Sequence, residues 1–258
     1  MTTADDSHTD LGAVAEMLHR ARTAVRATPQ LNGSLSIREG YEIQRQLLDL
    51  RLGDGERQAG LKLGFTSRAK MAQMGVSDVI VGVLTDAMQI QDGSSVDLAS
   101  LIHPRVEPEV AFRVGSDVDL SDPESNLQTA VDAVAPALEI IDSRYADFKF
   151  DLASVIADNT SGAAFAVGPW HPYDIDISNL GVRLDIDGLP SEFGSTAAIL
   201  GDPRRSLAEL ARIGGAAGYQ LRRGDVILAG AATAAVPLDK STVTVRVTGL
   251  GRVNIRAV

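Results

Sequence analysis

The sequence predicts an α+β protein. A helical N-terminal region, residues 1–55, precedes a larger unit, residues 56–258, built on a rolled or barrel-like sheet. Three observations carry this. Helical periodicity is concentrated at the N-terminus. Beyond it, short strand patterns dominate. Strand and helix patterns do not alternate regularly, which argues against a βαβ chain.

Residues 1–9 read as a polar, frayed tail. From Asp10, the apolar positions Leu11, Val14, Ala15, Leu18, Ala21 and Val25 recur at helical spacing, with Thr9 or Asp10 as cap and Pro29 as stop. Ser36-Ile37-Arg38-Glu39 is a capping box that opens a second helix to about Leu52, stopped by Gly53 and Gly55. Ala59 to Phe65 then alternates Leu61, Leu63 and Phe65 with Gly60, Lys62 and Gly64. One face is an apolar row. The other is a lone lysine between glycines, which marks either close approach of a ligand or another backbone, or an exposed face. Thr66 or Ser67 caps a short helix to about Met74. Val79 to Leu84 reads as a strand, and Val96 as part of another.

Arg105 to Val114, RVEPEVAFRV, is the most informative stretch. Its alternation places Glu107 and Glu109 on one face of a strand, with Cβ atoms about 6–7 Å apart. Two carboxylates that close repel unless a cation or proton lies between them. A solvated polar face would show the same alternation. Pro108 cannot donate to a ladder, so an edge strand or a bulge is expected.

Asp122-Pro123 reads as a helix start, with a helix through Leu127, Val131 and Val134 to near Pro136. Ala137 to Ile141 is an apolar strand with a single charge, Glu139, which needs a partner or a proton if buried. Asp151 opens a short helix to Ala157. A polar loop, residues 158–161, leads into a small apolar strand from Gly162 to Val167. Trp170 reads as a packing residue. Val182 to Ile186 with the Asp187-Gly188 turn is a hairpin arm. Asp202-Pro203 caps a helix to about Ile213, ended by Gly214-Gly215. Asp225 to Leu228 is a strand leading into Gly230-Ala-Ala-Thr233, and Thr242 to Val247 pairs with Val253 to Val258.

Composition narrows the function. With no cysteine there are no thiolate ligands and no cysteine nucleophile, which suits a reducing cytoplasm. Four histidines argue against a histidine-rich metal site, and a net charge of −10 argues against nucleic acid as a partner. The N-terminus has no apolar signal core, and no run approaches the ~18 apolar residues of a membrane span. Walker, GxGxxG, GxSxG and HExxH motifs are absent. Glu107, Glu109 and Glu139, three carboxylates from two strands, describe a hard-oxygen site suited to Mg²⁺ or Mn²⁺. Such an ion can chelate a 2-oxo acid and stabilise an enolate, with Lys62 steadying the charge or moving a proton. Decarboxylation, hydration, tautomerisation and C–C hydrolysis all remain open on that basis.

The blocks GLKLGFTSRAKMAQMGV (60–76), GVLTDAM (82–88), LIHPRVEPEVAF (101–112), PALEIIDSRYADFKF (136–150), ADNTSGAAF (157–165) and GDVILAGAATAAVPL (224–238) extend the argument. In order and spacing they resemble the 4-oxalocrotonate decarboxylase and 2-hydroxypentadienoate hydratase group of the fumarylacetoacetate hydrolase superfamily. The resemblance implies a mixed β-roll behind a helical N-terminal region. It implies metal ligation by Glu107, Glu109 and Glu139, an active-site role for Lys62, and substrate contacts from Thr66, Arg144, Asp158, Ser161 and Thr233. Arg144 reads either as a partner for a substrate carboxylate or as half of a surface ion pair with Asp142 or Asp147. Hydratases of the group carry an acid where this chain has Ile80, so the decarboxylase branch is favoured. The implied reaction converts 2-oxo-3-hexenedioate to 2-hydroxy-2,4-pentadienoate and CO₂ in aromatic meta-cleavage catabolism. A hydratase, or a lyase or hydrolase acting on another 2-oxo acid, is the alternative. The implied partners are a small 2-oxo acid, a hydratase of the same pathway and further copies of the chain. Pro108, Val81, Asp202 and the 159–162 segment depart from the group's pattern and leave the exact oxo acid open.

Overall fold

The computed structural model describes residues 9–31, 35–67, 71 and 78–258. Helices α1 (Leu11–Thr23) and α2 (Ile37–Gly53) come first, followed by strands β1 (Gln58–Gly64), β2 (Ile80–Thr85), β3 (Gln89–Ile90), β4 (Ser95–Val96), β5 (Arg105–Val114) and β6 (Val118–Asp119). Helix α3 (Leu127–Ala130) leads into β7 (Val131–Ile141). Helix α4 (Leu152–Ala157), β8 (Gly162–Val167), β9 (His171–Pro172), β10 (Gly181–Ile186) and β11 (Leu189–Ser195) follow. Helix α5 (Arg205–Ala217), β12 (Gln220–Leu221), β13 (Val226–Ala231), β14 (Val236–Pro237), β15 (Ser241–Val247) and β16 (Gly251–Ala257) complete the chain.

Both N-terminal helices begin where their side chains cap them. Asp10 accepts from the Ala13 amide at 3.1 Å, and Ser36 and Glu39 form the reciprocal capping box. α1 ends at Thr23, well before Pro29, with Val25 in a left-handed conformation. The two helices bury Val14, Leu18, Ile43 and Leu47 with Tyr145 and Ala157 of the sheet-bearing part.

A nine-stranded mixed sheet runs β2-β1-β13-β5-β7-β8-β3, with β14 also on β5 and β9 also on β7. A five-stranded sheet, β11-β10-β15-β16-β4, packs on it. The core between them holds Val110, Phe112, Val134 and Leu138 from the first sheet and Leu184, Val243, Val245, Val253 and Ile255 from the second. Each such side chain contributes about 1.5–3 kcal/mol by leaving water. That packing fixes the register of β5. Its even-numbered residues face the core, so Glu107 and Glu109 face the opposite, concave side.

Four expectations are corrected. β5 is central rather than an edge, lying between β13 and β7. The irregularity lies in its neighbour: β13 shifts register between Leu228 and Ala231, then β14 takes over at Val106. Pro108 sits in that gap, its carbonyl accepting from the Ala232 amide at 2.9 Å. The helix expected to reach Pro136 stops at Ala130. Val131 to Pro136 belong to β7, where β-branched side chains pack between sheets and tertiary contacts outweigh local spacing. Asp122-Pro123 forms a turn, and α3 is capped by Asn126. Lastly, α5 starts at Arg205 rather than Asp202 and runs through Gly214-Gly215 to Ala217, with Gly218 as its C-cap. That glycine pair serves contact, since a Cβ on Gly214 would lie 2.6 Å from Leu120 Cδ1 and one on Gly215 2.7 Å from the Leu120 carbonyl oxygen. The helix expected between Thr66 and Met74 falls largely outside the described residues.

Gly60 is required by the sheet. Its φ is 150°, and a Cβ there would lie 1.8 Å from the Val226 carbonyl oxygen. Gly60→Ala is expected to lower stability by at least ~2 kcal/mol through strain and displacement of β13, read as a lower urea midpoint.

Candidate active site

The carboxylates meet because of strand register. β5 and β7 are antiparallel, and Glu107 lies directly opposite Glu139. Glu109 is two residues deeper, opposite Ala137. Oxygens of the three lie within 4.8 Å of one another, and all three side chains are buried. Gly230 of β13 donates its amide to Glu109 Oε2 at 2.6 Å. The backbone reaches that close because Gly230 has φ 115°, where a Cβ would lie 1.9 Å from Thr66 Oγ1. Buried Thr66 therefore packs against the residue that holds Glu109.

Lys62 completes the cluster from β1. Its ammonium is 2.7 Å from Glu139 Oε2 and donates to the Thr160 carbonyl at 3.2 Å. β13 and β5 lie between β1 and β7 in the sheet, so this contact requires a strongly curled sheet with the lysine crossing its concave side. Lys62 is only 2 % exposed, so it does not reach to solvent. The glycines flanking it in sequence serve other contacts: Gly60 meets the β13 backbone and Gly64 the Thr160 side chain. Room for the lysine stem comes from Gly82 and Gly162, where added Cβ atoms would lie 3.1 Å from Lys62 Cγ and 3.3 Å from Lys62 Cδ. No local spacing pointed to those two.

The Thr160 carbonyl is presented by a strained turn. Asn159, Thr160 and Ser161 have φ of 49°, 54° and 55°, a left-handed run that non-glycine residues adopt only when held. Asn159 supplies the hold. Its Oδ1 accepts from the Val83 amide at 2.7 Å, and its Nδ2 donates to the Val83 carbonyl at 2.9 Å. This one amide pairs with β2, at the end of the large sheet, as a strand residue would. The sequence showed a polar loop here but could not show the partner.

Three predicted residues lie together behind the turn. The Arg144 guanidinium donates to buried Asp158, to the Asp142 carbonyl at 2.7 Å and to the Gly162 carbonyl at 3.2 Å. Ser143 and Ser161 hydroxyls also donate to Asp158 Oδ2. Arg144 thus has a partner that neither sequence reading gave it, and it is buried rather than on the surface. Thr233 is half-buried, its hydroxyl donating to the Ala234 carbonyl. Asp142 ties the two carboxylate strands together by accepting from the Ile102 and His103 amides, both at 2.8 Å.

Burial pushes the Glu109 carboxyl well above the ordinary carboxylate range, and the neighbouring Glu139 and Glu107 push it further. The Lys62 ammonium and the Gly230 amide only partly oppose this. Glu109 Oε1 has no hydrogen-bond partner among the described residues. An all-oxygen donor set, a carboxyl that resists ionising and an orphaned oxygen together fit a hard divalent cation such as Mg²⁺ or Mn²⁺.

Residues 63–258 match the family model for the fumarylacetoacetate (FAA) hydrolase C-terminal domain. This chain belongs to the fumarylacetoacetate hydrolase family. It is 51 % identical over 230 residues to a 4-oxalocrotonate decarboxylase of Pseudomonas sp., covering 88 % of this chain and 90 % of the relative. It is 35 % identical over 229 residues to 2-hydroxyhexa-2,4-dienoate hydratase of Comamonas testosteroni, covering 86 % of each. A solved 4-oxalocrotonate decarboxylase from Pseudomonas putida G7, complexed with magnesium and adipate, superposes with a TM-score of 0.89 at 36 % identity, covering 96 % of this chain and 97 % of the other. The helical start and curled mixed sheet expected from the sequence are therefore the family's architecture.

Two outcomes follow. Asn159→Ala leaves the Val83 amide and carbonyl unpaired and should cost about 2 kcal/mol, seen as a lower denaturation midpoint. The metal-free protein should lose stability as pH rises. A carboxyl whose folded pKa is raised binds its proton in the native state while the unfolded chain has released it, so the stabilisation is complete below the unfolded pKa and disappears as pH climbs through the folded one. Denaturation midpoints at pH 5 and pH 8, with chelator and then with excess Mg²⁺, check this. The fall is expected with chelator and should shrink with the ion.

Proposed function

We propose that this protein is a divalent-metal-dependent carboxy-lyase that converts 2-oxo-3-hexenedioate to 2-hydroxy-2,4-pentadienoate and CO₂. The observation that carries the reading is the buried convergence of Glu107, Glu109 and Glu139 with Lys62 seated on Glu139. Half-identity to a 4-oxalocrotonate decarboxylase over most of both chains supports the reaction, and the magnesium complex of a structural relative supports the metal.

In this reading Glu107, Glu109 and Glu139 hold Mg²⁺ or Mn²⁺. The ion, when bound, supplies Lewis acidity towards the carboxylate and keto oxygens of a 2-oxo acid. The chain's own groups do the rest. Lys62, fixed by Glu139 and the Thr160 carbonyl, presents a positive charge where the keto oxygen gains electrons. The substrate is a vinylogous β-keto acid: the C–CO₂ bond breaks and its electron pair moves through the alkene to that oxygen. Ala111, Ala137 and Phe165, which neighbour the glutamates along and across the strands, are apolar and buried, which excludes water from the developing charge.

Hydration is the second reading, favoured by the hydratase relatives. It needs a group to deliver or take a proton during addition of water. Ile80, where hydratases of the group carry an acid, is buried and has no titratable group to offer. Thr66 backs Gly230, and Asp158 and Ser161 brace the turn that holds Lys62. No helix among the described residues is long and apolar enough to cross a membrane. We place the enzyme in the cytoplasm, as a homo-oligomer that hands its unstable dienol product to a hydratase of the same pathway.

Incubation with 2-oxo-3-hexenedioate and Mg²⁺ should release CO₂ together with the dienol ultraviolet signal, and chelator should stop both. Glu109→Gln should abolish release, and Lys62→Ala should lower kcat by about 10²–10³-fold. A metal-loaded protein that yields no CO₂ would sink the decarboxylase reading.

A further inference from the structure

With Arg144 committed to Asp158, the second carboxylate of a diacid needs another partner. Exposure along β5 and β7 shows where the site opens. Glu109 and Ala137 are fully buried, Glu107 is 7 % exposed, and the next pair outward, Arg105 and Ile141, is exposed and half-exposed. Arg105 therefore stands at the mouth, on the face that carries the carboxylates and one strand step beyond Glu107.

Its guanidinium lies over the Phe148 ring, 4.7 Å from the centroid, and Phe148 is backed by the His103 ring at 4.7 Å. Phe148 holds a left-handed φ of 53° beside Asp147 at 57°, a pair of strained residues that places the ring. Stacking uses the face of a guanidinium and leaves its in-plane N–H fork open. Among the described residues no carboxylate pairs with Arg105, and its cross-strand neighbours, Ile141 and Pro237, are uncharged. In a chain of net charge −10, a stacked arginine at the rim of a carboxylate cluster is a ready anion receptor.

The geometry points to Arg105 as the specificity-determining residue that binds the distal carboxylate of a 2-oxo diacid. This rests on the 2-oxo acid reading of the site. The reach is suitable: an extended six-carbon diacid spans about 6–7 Å through five bonds of ~1.5 Å, and two strand residues advance by about 6.6 Å. The role has a kinetic signature. The distal carboxylate loses its charge as CO₂ departs, so the contact is stronger in the bound substrate than in the transition state. It should set KM and discrimination rather than kcat.

The test uses the Mg²⁺-loaded protein, Arg105→Gln and Arg105→Lys, and two unreactive probes, 2-oxoadipate and 2-oxohexanoate, which differ only in the distal carboxylate. Calorimetry should show Arg105→Gln weakening 2-oxoadipate about tenfold while leaving 2-oxohexanoate unchanged, with Arg105→Lys intermediate. Turnover should show a matching rise in KM without a fall in kcat. Equal loss for both probes, or no loss for either, overturns the assignment. If the wild type binds both probes but releases no CO₂, the decarboxylase reading fails while the Arg105 comparison still stands on the binding data. If neither probe binds the metal-loaded wild type, the 2-oxo acid reading itself fails, and the Arg105 assignment with it.

Discussion

Glu107 and Glu139 face each other across adjacent antiparallel strands, and Glu109 sits one step further in. Like charges directly opposite in a sheet repel, and burial strengthens the repulsion because little water is left to screen it. Much of the surrounding structure answers this one conflict. Lys62 is brought over two strands to Glu139, the β13 backbone twists at Gly230 to donate to Glu109, and Asp142 binds the loop ahead of β5 to the strand end that carries Glu139. A divalent ion would satisfy what those contacts leave over. A sheet of hydrophobic residues at the same positions would be easier to fold and would have no chemistry.

Curvature allows the arrangement. A flat sheet would hold β1 and β7 three strand spacings apart, roughly 14 Å, beyond the reach of a lysine to a glutamate. The core between the two sheets holds the convex side together, and small residues empty the concave side: Gly82 and Gly162 along the lysine stem, Ala111 and Ala137 beside Glu109. Packing on one face thus determines how closely charges approach on the other.

The sequence revealed much of this, and its failures have physical causes. Capping residues and strand alternation are local, so α1, α2 and the orientation of Glu107 and Glu109 could be read directly. The boundary at Ala130 could not, because residues 127–134 fit helical spacing and 131–134 are claimed for β7 only by the strands beside them. Gly214 and Gly215 read as a stop for the same reason: their purpose is contact with Leu120, distant in sequence. At the site, residue types pointed to the three carboxylates that converge and to Lys62, while partner choice stayed invisible. Arg144 with Asp158 and Asn159 with Val83 are pairings that exist only once the roll closes.

The pairing of Asn159 with Val83 gives the roll a seam of unusual kind. Strands elsewhere in the large sheet are joined by ladders, whose bonds fail together. Here β2 meets the site turn through two hydrogen bonds from one side chain. A single torsional change in Asn159 can part them without unzipping a strand. Hydrogen exchange at the Val83 amide would then run on the clock of a side-chain rotation, while its neighbours in the sheet exchange through larger openings. Because Thr160 follows Asn159 directly, the same rotation would loosen the carbonyl that steadies Lys62, and solvent contact at the seam would report on order at the lysine.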